Sequence, residues 1–408
     1  MRRSPNILRK AQYTPFAPAE IAEEHNFRPF EPADLSMYGN GPQANEGFFF
    51  TYERLVWAFT GPKDSPIGDE ASAGVINNAA GFNFLNLNSF DNSFINTQTV
   101  WGNRFEGGYV EDDRGWLVST AHVHTQHSQR TLGATNIAFA DPLGLNLQFV
   151  DFNNDGIDDD LNLNGIFGNT SPFNFDALPF PISDGVLDTY VGPDFGDQIS
   201  LPINFSNVFV FNQTKLSTIE LMRVNRWEPL HYGGTIEFIY GARYMNVADK
   251  FGIFGFNGQG VITQLAIQNA IDNRMIGGQV GLRYNRQTGR WRVGAEARFT
   301  AAANFQNTRL EGNYIGSGGQ LQAGLLNAYN DAQTDTTFAP IGELRLDASY
   351  QITKAFSIKC GYTGIVAGGV SRASRRVGYI FPEAAINDIN KHDTFISNGF
   401  NFGFEVNR

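Results

Sequence analysis

From about Trp101 to the C-terminus, apolar and polar side chains alternate with a period of two, in segments joined by connections that are alternately very short and very long. The short connections fall at Asp112–Arg114, Glu228–Tyr232, Arg286–Gly289 and Thr353–Lys354. The long ones run from about His127 to Gln213, Asn246 to Arg274, Asn304 to Phe338 and Ile365 to Asn398. Turns at one rim and long loops at the other predict an up-and-down antiparallel β-barrel crossing an outer membrane.

The two faces of each segment indicate the solvent each one meets. In Thr235–Met245 the set Ile236, Phe238, Tyr240, Ala242, Tyr244 alternates with Thr235, Glu237, Ile239, Gly241, Arg243. In the same way Val280 and Leu282 oppose Gln279 and Arg283, and Val293, Ala295, Ala297 oppose Arg292, Glu296, Arg298. Leu344, Leu346 and Ala348 oppose Glu343, Arg345 and Asp347. A one-residue slip would put every charge on the apolar face. The charged set Glu237, Arg243, Arg283, Arg292, Glu296, Arg298, Glu343, Arg345 and Asp347 is therefore expected to line the lumen, with the apolar set against lipid.

A soluble β-sandwich alternates too, with its charged face in water. The segments here run roughly 10 to 14 residues, long enough for a tilted bilayer crossing and longer than the usual sandwich strand. Aromatic rings such as Trp101, Trp116, Trp227, Trp291 and Tyr350 sit near segment ends, where a lipid–water interface favours them. No run of 18 apolar residues occurs, so the chain has no helical span. A net charge of −11 argues against nucleic acid as a partner and suits a Gram-negative-type cell surface. The single cysteine, Cys360, allows no internal disulfide and reads as a small hydrophobe on an apolar face.

Ten segments can be counted: 48–59, 101–111, 116–126, 215–227, 233–247, 275–285, 290–303, 340–352, 355–364 and 398–408. Phe251–Phe256 and Val370–Phe381 either extend hairpins beyond the membrane or add two strands, which sets the expectation at ten to twelve. The predicted organisation is an extended arm over residues 1–47, then a barrel over 48–408 with a long loop insertion at about 127–213. An exported barrel is expected to carry a signal peptide. Met1–Asn45 begins with basic residues but is Pro-rich and polar, without an apolar core.

Several strings also point to a family. Gly107-Gly-Tyr-Val, Ile219-Glu-Leu-Met-Arg-Val-Asn-Arg with His231-Tyr-Gly-Gly-Thr-Ile-Glu-Phe, Asn273 to Tyr284, Gly361-Tyr-Thr-Gly-Ile-Val-Ala-Gly-Gly-Val and Asn398-Gly-Phe-Asn-Phe-Gly-Phe-Glu resemble the beta-barrel porin 7 family abundant in planctomycetes. The resemblance covers most of the chain after residue 48. Its motifs are strand motifs, so what it implies is a barrel fold and an outer-membrane location.

The sharpest local pattern is Asp151-Phe-Asn153-Asn-Asp155-Gly-Ile157-Asp-Asp159 in the longest loop. Side-chain oxygens at Asp151, Asn153, Asp155 and Asp159, with the Ile157 carbonyl and a Gly at the sixth position, have the spacing by which a loop wraps Ca²⁺. Asn162 replaces the bidentate Glu at the twelfth position, so the closer likeness is to dockerin-like or thrombospondin-like loops. The expected cofactor is structural Ca²⁺, against the alternative of a solvated acidic turn.

His122-Val-His124-Thr-Gln-His127 has the i, i+2 spacing of a zinc half-site, but Gln126 stands where the metallo-hydrolase pattern has Asp. These are expected to be lumen or rim histidines. An enzymatic barrel would need a His with Ser or Asp in a rim cluster. His231 falls in a short turn, at the wrong end, and no enzymatic activity is expected. The leading expectation is a narrow porin-like channel for passive passage of small solutes. The alternative is a closed barrel that anchors large loops as a surface scaffold. Partners are outer-membrane lipid, small solutes, and a homo-oligomer or cell-surface partner through the loops, with termini periplasmic and loops extracellular.

Overall fold

The computed structural model describes residues 47–69, 73–78, 81–86, 88–111, 113–141, 199–230, 234–259, 262–316, 329–380, 384–389 and 392–407. The predicted arm, but for Gly47, lies outside these, and so do the calcium-type loop and His231.

Ten strands form the wall: β1 (Gly47–Phe59), β2 (Gln98–Glu111), β3 (Arg114–Leu132), β4 (Ile199–Arg226), β5 (Gly234–Gln259), β6 (Ile262–Thr288), β7 (Trp291–Gly316), β8 (Tyr329–Gln351), β9 (Phe356–Val370) and β10 (Asp393–Asn407). Every neighbour is antiparallel, β3 bonds to β4 across the insertion, and β1 bonds to β10, which closes the ring. Each of these ten covers one of the ten segments read from the sequence to within a residue at either end. Residues 377–378 pair with 385–386 as a separate short ladder and add nothing to the wall.

Register fixes the shape. Following hydrogen-bonded partners from Gly47 through Val110, Gly115, Val224, Ile239, Gly281, Arg298, Glu343, Ile365 and Ser397 returns the path to β1 at Phe59, twelve residues above its start. Ten strands with that stagger tilt by ~40° from the barrel axis, so each residue adds roughly 2.5 Å of height.

The wall's outer surface carries two aromatic girdles. The lower follows the short turns: Phe48 against Tyr109 at 4.6 Å, Trp291 against Tyr350 at 5.0 Å and Phe356 against Phe404 at 5.8 Å, with Trp116. The upper holds Trp101, Phe305 and Phe338, all exposed. Between the girdles Val280, Leu282, Val293, Phe299, Leu344, Leu346, Ile358, Phe400 and Phe402 face outward. The belt is ~25 Å tall, the height of a barrel's lipid-facing band. Cys360 is also exposed on this surface.

The faces therefore match expectation, and the strand lengths do not. The connections read as loops at Asn246–Arg274 and Asn304–Phe338 are largely continued strand, because β5 to β8 run 26, 27, 26 and 23 residues. They rise well beyond the belt. Likewise residues 127–213, read as one insertion, are strand at both ends: β3 continues to Leu132, and Thr135–Asp141 pairs with Ile199–Phe205 of β4. The projecting part has its own apolar core, which includes Phe139, Phe205, Phe251, Ile267 and Tyr314. Burial pushes the Tyr314 phenol well above its usual range.

The belt makes one expectation measurable. Val280→Arg places a charge in mid-belt and should cost roughly 2–4 kcal/mol. Asn307→Arg, outward on β7 but above the belt and paired in register with Asp272, should be near neutral. Urea titration of the refolded protein, read by heat-modifiable gel mobility, checks the difference; equal midpoints would remove the lipid-facing assignment.

Candidate functional site: the barrel lumen

The inward face of each strand enters the lumen at a height set by the tilt, and the lumen divides into layers. Lowest is an ionic layer, flanked on the β1–β5 side by the buried apolar residues Phe49, Val110, Leu117, Met222, Val224 and Ile239. Ion pairs here join eight acids (Glu53, Glu106, Glu220, Glu237, Glu296, Glu343, Asp347, Glu405) to eight bases (Arg104, Arg226, Arg243, Arg283, Arg292, Arg298, Arg345, Lys359). All nine residues expected in the lumen are among them. Their charges cancel within the layer.

The pairing is cross-strand and multiple. Arg283 meets Glu296 at 2.9 Å on β7, Glu237 at 3.3 Å on β5 and Glu106 at 3.6 Å on β2. Arg243 reaches Glu343 across the lumen at 2.5 Å. Arg298 contacts both Glu220 and Glu296, and Arg292 contacts Glu405. Buried charges of this kind persist only when paired, since the desolvation penalty of an isolated ion is several kcal/mol. Glycines on the inward face make the room: a Cβ at Gly361 would stand 2.6 Å from the Leu346 carbonyl. A cavity of about 30 Å³ remains, bordered by Glu53, Glu106, Arg283, Arg292, Arg345 and Lys359 among others. That is room for only a water molecule or two.

Above this layer the lumen is filled by an apolar collar. Leu55, Trp57 and Phe59 from β1 meet Val123, Leu216, Met245, Val247, Met275, Ala302, Ile341, Ile365, Ala367 and Phe395, with Val100 of β2 packed against them. Every wall strand contributes. Trp57 and Phe59 have no exposed surface. The Trp57 indole N–H donates to Asn401 Oδ1 at 2.9 Å, and the Arg104 guanidinium lies 5.2 Å from its ring.

A polar cap covers the collar. At Gly369, where φ is +66°, β9 bulges; Val370 makes the last pairing, with Asp393, and Ser371–Arg376 folds inward. Asn273 holds it by both backbone groups of one residue, donating to the Ser371 carbonyl at 2.9 Å and accepting from the Ser371 N–H at 2.8 Å. Asn304 and Gln306 donate to the Gly369 carbonyl, each at 2.9 Å. Buried Arg372 meets Asp249 at 3.2 Å and lies over the Phe395 ring.

The sequence reading missed Glu53, Arg104, Glu106, Glu220, Arg226 and Lys359, although the same period-two alternation marks them. Asn269, Asn273 and Asn304 gave no such signal, since a polar residue there looks like loop. His122, His124 and His127 are exposed, and His122 and His124 face outward on β3, away from the lumen. Among the described residues no group of three or more His, Cys, Asp or Glu is assembled to hold a metal.

A closed antiparallel wall, an apolar belt between aromatic girdles and an ionic interior together define a transmembrane β-barrel of the outer-membrane type. The family model of beta barrel porin-7 (BBP7) matches residues 49–407, and the chain belongs to that family. No curated protein matches it. Solved structures similar in outline include the outer membrane protease OmpT from Escherichia coli (8% identity, TM-score 0.35, 90% of this chain and 98% of that one). A Pseudomonas aeruginosa FadL homologue (10%, 0.25, 92% and 94%) and the Pseudomonas putida toluene transporter TodX (9%, 0.24, 92% and 94%) are others. At these scores the likeness carries neither substrate nor reaction.

Proposed function

We propose that this protein is a sealed outer-membrane barrel whose work is done by what it holds above the membrane: the projecting strands and the insertion between β3 and β4. The short turns and both ends of the wall, Gly47 and Asn407, face the periplasm, and the long strands face outward. The collar carries this reading. Side chains from all ten strands fill the lumen at one height, under a cap folded in from the β9–β10 connection. A solute path would have to displace both.

Purified protein inserted into a planar bilayer is expected to be electrically silent. Discrete current steps from the unmodified chain would favour the second reading, a narrow channel for small solutes, which has in its support the small two-signed cavity in the ionic layer.

The insertion is where calcium belongs in this proposal. Asp151, Asn153, Asp155, Ile157 and Asp159 would wrap one Ca²⁺ and order the surface around them. Calcium should then protect the insertion from protease in the parent and not in Asp155→Ala. Equal protection in both would remove the site.

A further inference from the structure

The outer wall is not uniform. On β5 to β9 the side chains facing lipid below the upper rim are aliphatic or aromatic with one cysteine, as in Tyr240, Val280, Val293, Leu346, Cys360 and Val366; at that rim Asn246 and Arg274 face outward, Arg274 paired with Asp272 at 3.6 Å. On β1 to β4 the upper half of the belt breaks this rule. Arg54, Asn103, His122, His124 and Lys215 share one patch, in which Asn103 and His122 are register partners.

The patch is organised. Arg54 Nη1 donates to Asn103 Oδ1 at 2.9 Å, the Tyr52 hydroxyl donates to the same oxygen at 2.9 Å, and the guanidinium lies 5.2 Å from the Trp101 ring centroid. The His122 and His124 rings stand 5.8 Å apart, edge to face, and Lys215 lies on β4 two residues above Ser217, the register partner of His122. Arg54 sits roughly 15 Å above the Phe48 girdle, near mid-belt, where an unpaired cation facing hydrocarbon is unfavourable. No carboxylate among the described residues pairs with Arg54 or Lys215, and none faces outward on this part of β1 to β4.

A one-sided group of donors and cations, rising from mid-belt to the headgroup level without an acid, has the complement of an anionic lipid. We propose that the outer wall of β1 to β4 binds a phosphate-bearing lipid of the leaflet at the long-strand end. Lys215 and His124 meet the phosphate, while His122, Asn103 and Arg54 descend toward the acyl-ester oxygens. Trp101 holds the guanidinium upright. That this is the outer leaflet rests on the orientation proposed above.

The test uses the full chain folded in maltoside micelles and native mass spectrometry, with phosphatidic acid, diacylglycerol or inorganic phosphate added. Phosphatidic acid should give one-to-one adducts, diacylglycerol none, and the paired change His124→Gln with Lys215→Gln should lower adduct occupancy at least tenfold. Arg54→Leu should do the same, with Lys250→Gln, above the patch, as the unchanged control. Equal adducts with both lipids, or no loss in the variants, overturns the site. Displacement by millimolar inorganic phosphate would make it a free-anion site and overturn the lipid assignment. A lipid-free dimer that Arg54→Leu dissolves would assign the patch to a second copy instead. If a variant fails the heat-modifiable mobility check for folding, the wild-type comparison of the two lipids decides alone. Micelles have no inner side and pass no current, so failure here leaves the sealed-barrel reading standing, and the reverse holds too.

Discussion

Glu220→Ala is expected to destabilise the barrel by about 3–5 kcal/mol, because it leaves buried guanidinium groups short of their counter-charge. Glu220 is fully buried and contacts Arg298, Arg243 at 3.6 Å and Arg345 at 3.5 Å. Removing it unbalances the lumen at its most crowded point. With urea slopes of roughly 1–3 kcal/mol/M, the refolding midpoint should fall by about 1 M or more. Glu220→Ala combined with Arg298→Leu should recover part of the loss, since it restores neutrality. A midpoint unchanged in the single variant would mean that the network does not exist as described.

Opening the collar should change the electrical behaviour. With Trp57→Ala, Phe59→Ala and Phe395→Ala together, the bilayer that was silent with the parent protein is expected to show discrete current steps. The Phe59 and Phe395 rings pack tilted against each other at 5.5 Å inside the lumen, and Trp57 belongs to the same cluster. Each truncation of a buried aromatic costs ~3–5 kcal/mol, so only the heat-modifiable, folded fraction should be reconstituted. A folded triple variant that stays silent would move the seal up to the Ser371–Arg376 cap or to the apolar core above it.

Inside the belt the fold was legible because lipid and lumen demand opposite residues on consecutive positions. Val280 beside Gln279, or Ala297 beside Arg298, leaves no choice of face. Above the belt the same strand meets water outside and a packed core inside, so its alternation reverses. On β6 the outward side is Ile276, Gly278 and Val280 within lipid but Asp272, Ala270 and Gln268 beyond it. The inward side passes from Arg283 and Gln279 to Met275, Ile271 and Ile267. The reversal falls at adjacent Met275 and Ile276, which break a period-two pattern. The strand thus looked finished where it crossed the membrane surface. The collar was hidden for a related reason, since Leu55, Trp57 and Phe59 on an inward face look like lipid-facing residues in the wrong register.

The β1–β10 seam joins the two ends of the wall, with Phe49 opposite Asn407 and Phe59 opposite Ser397. The ladder that closes the ring therefore links residues more than 300 positions apart, the longest-range pairing among the wall strands. Until Asn407 arrives, nine strands make a curved sheet with two unpaired edges, and the ionic layer lacks Glu405, the partner of Arg292. Synthesis cut short anywhere before β10 yields no smaller barrel. Closure waits for β10, and a copy that stops before it is left with open edges that proteolysis can recognise.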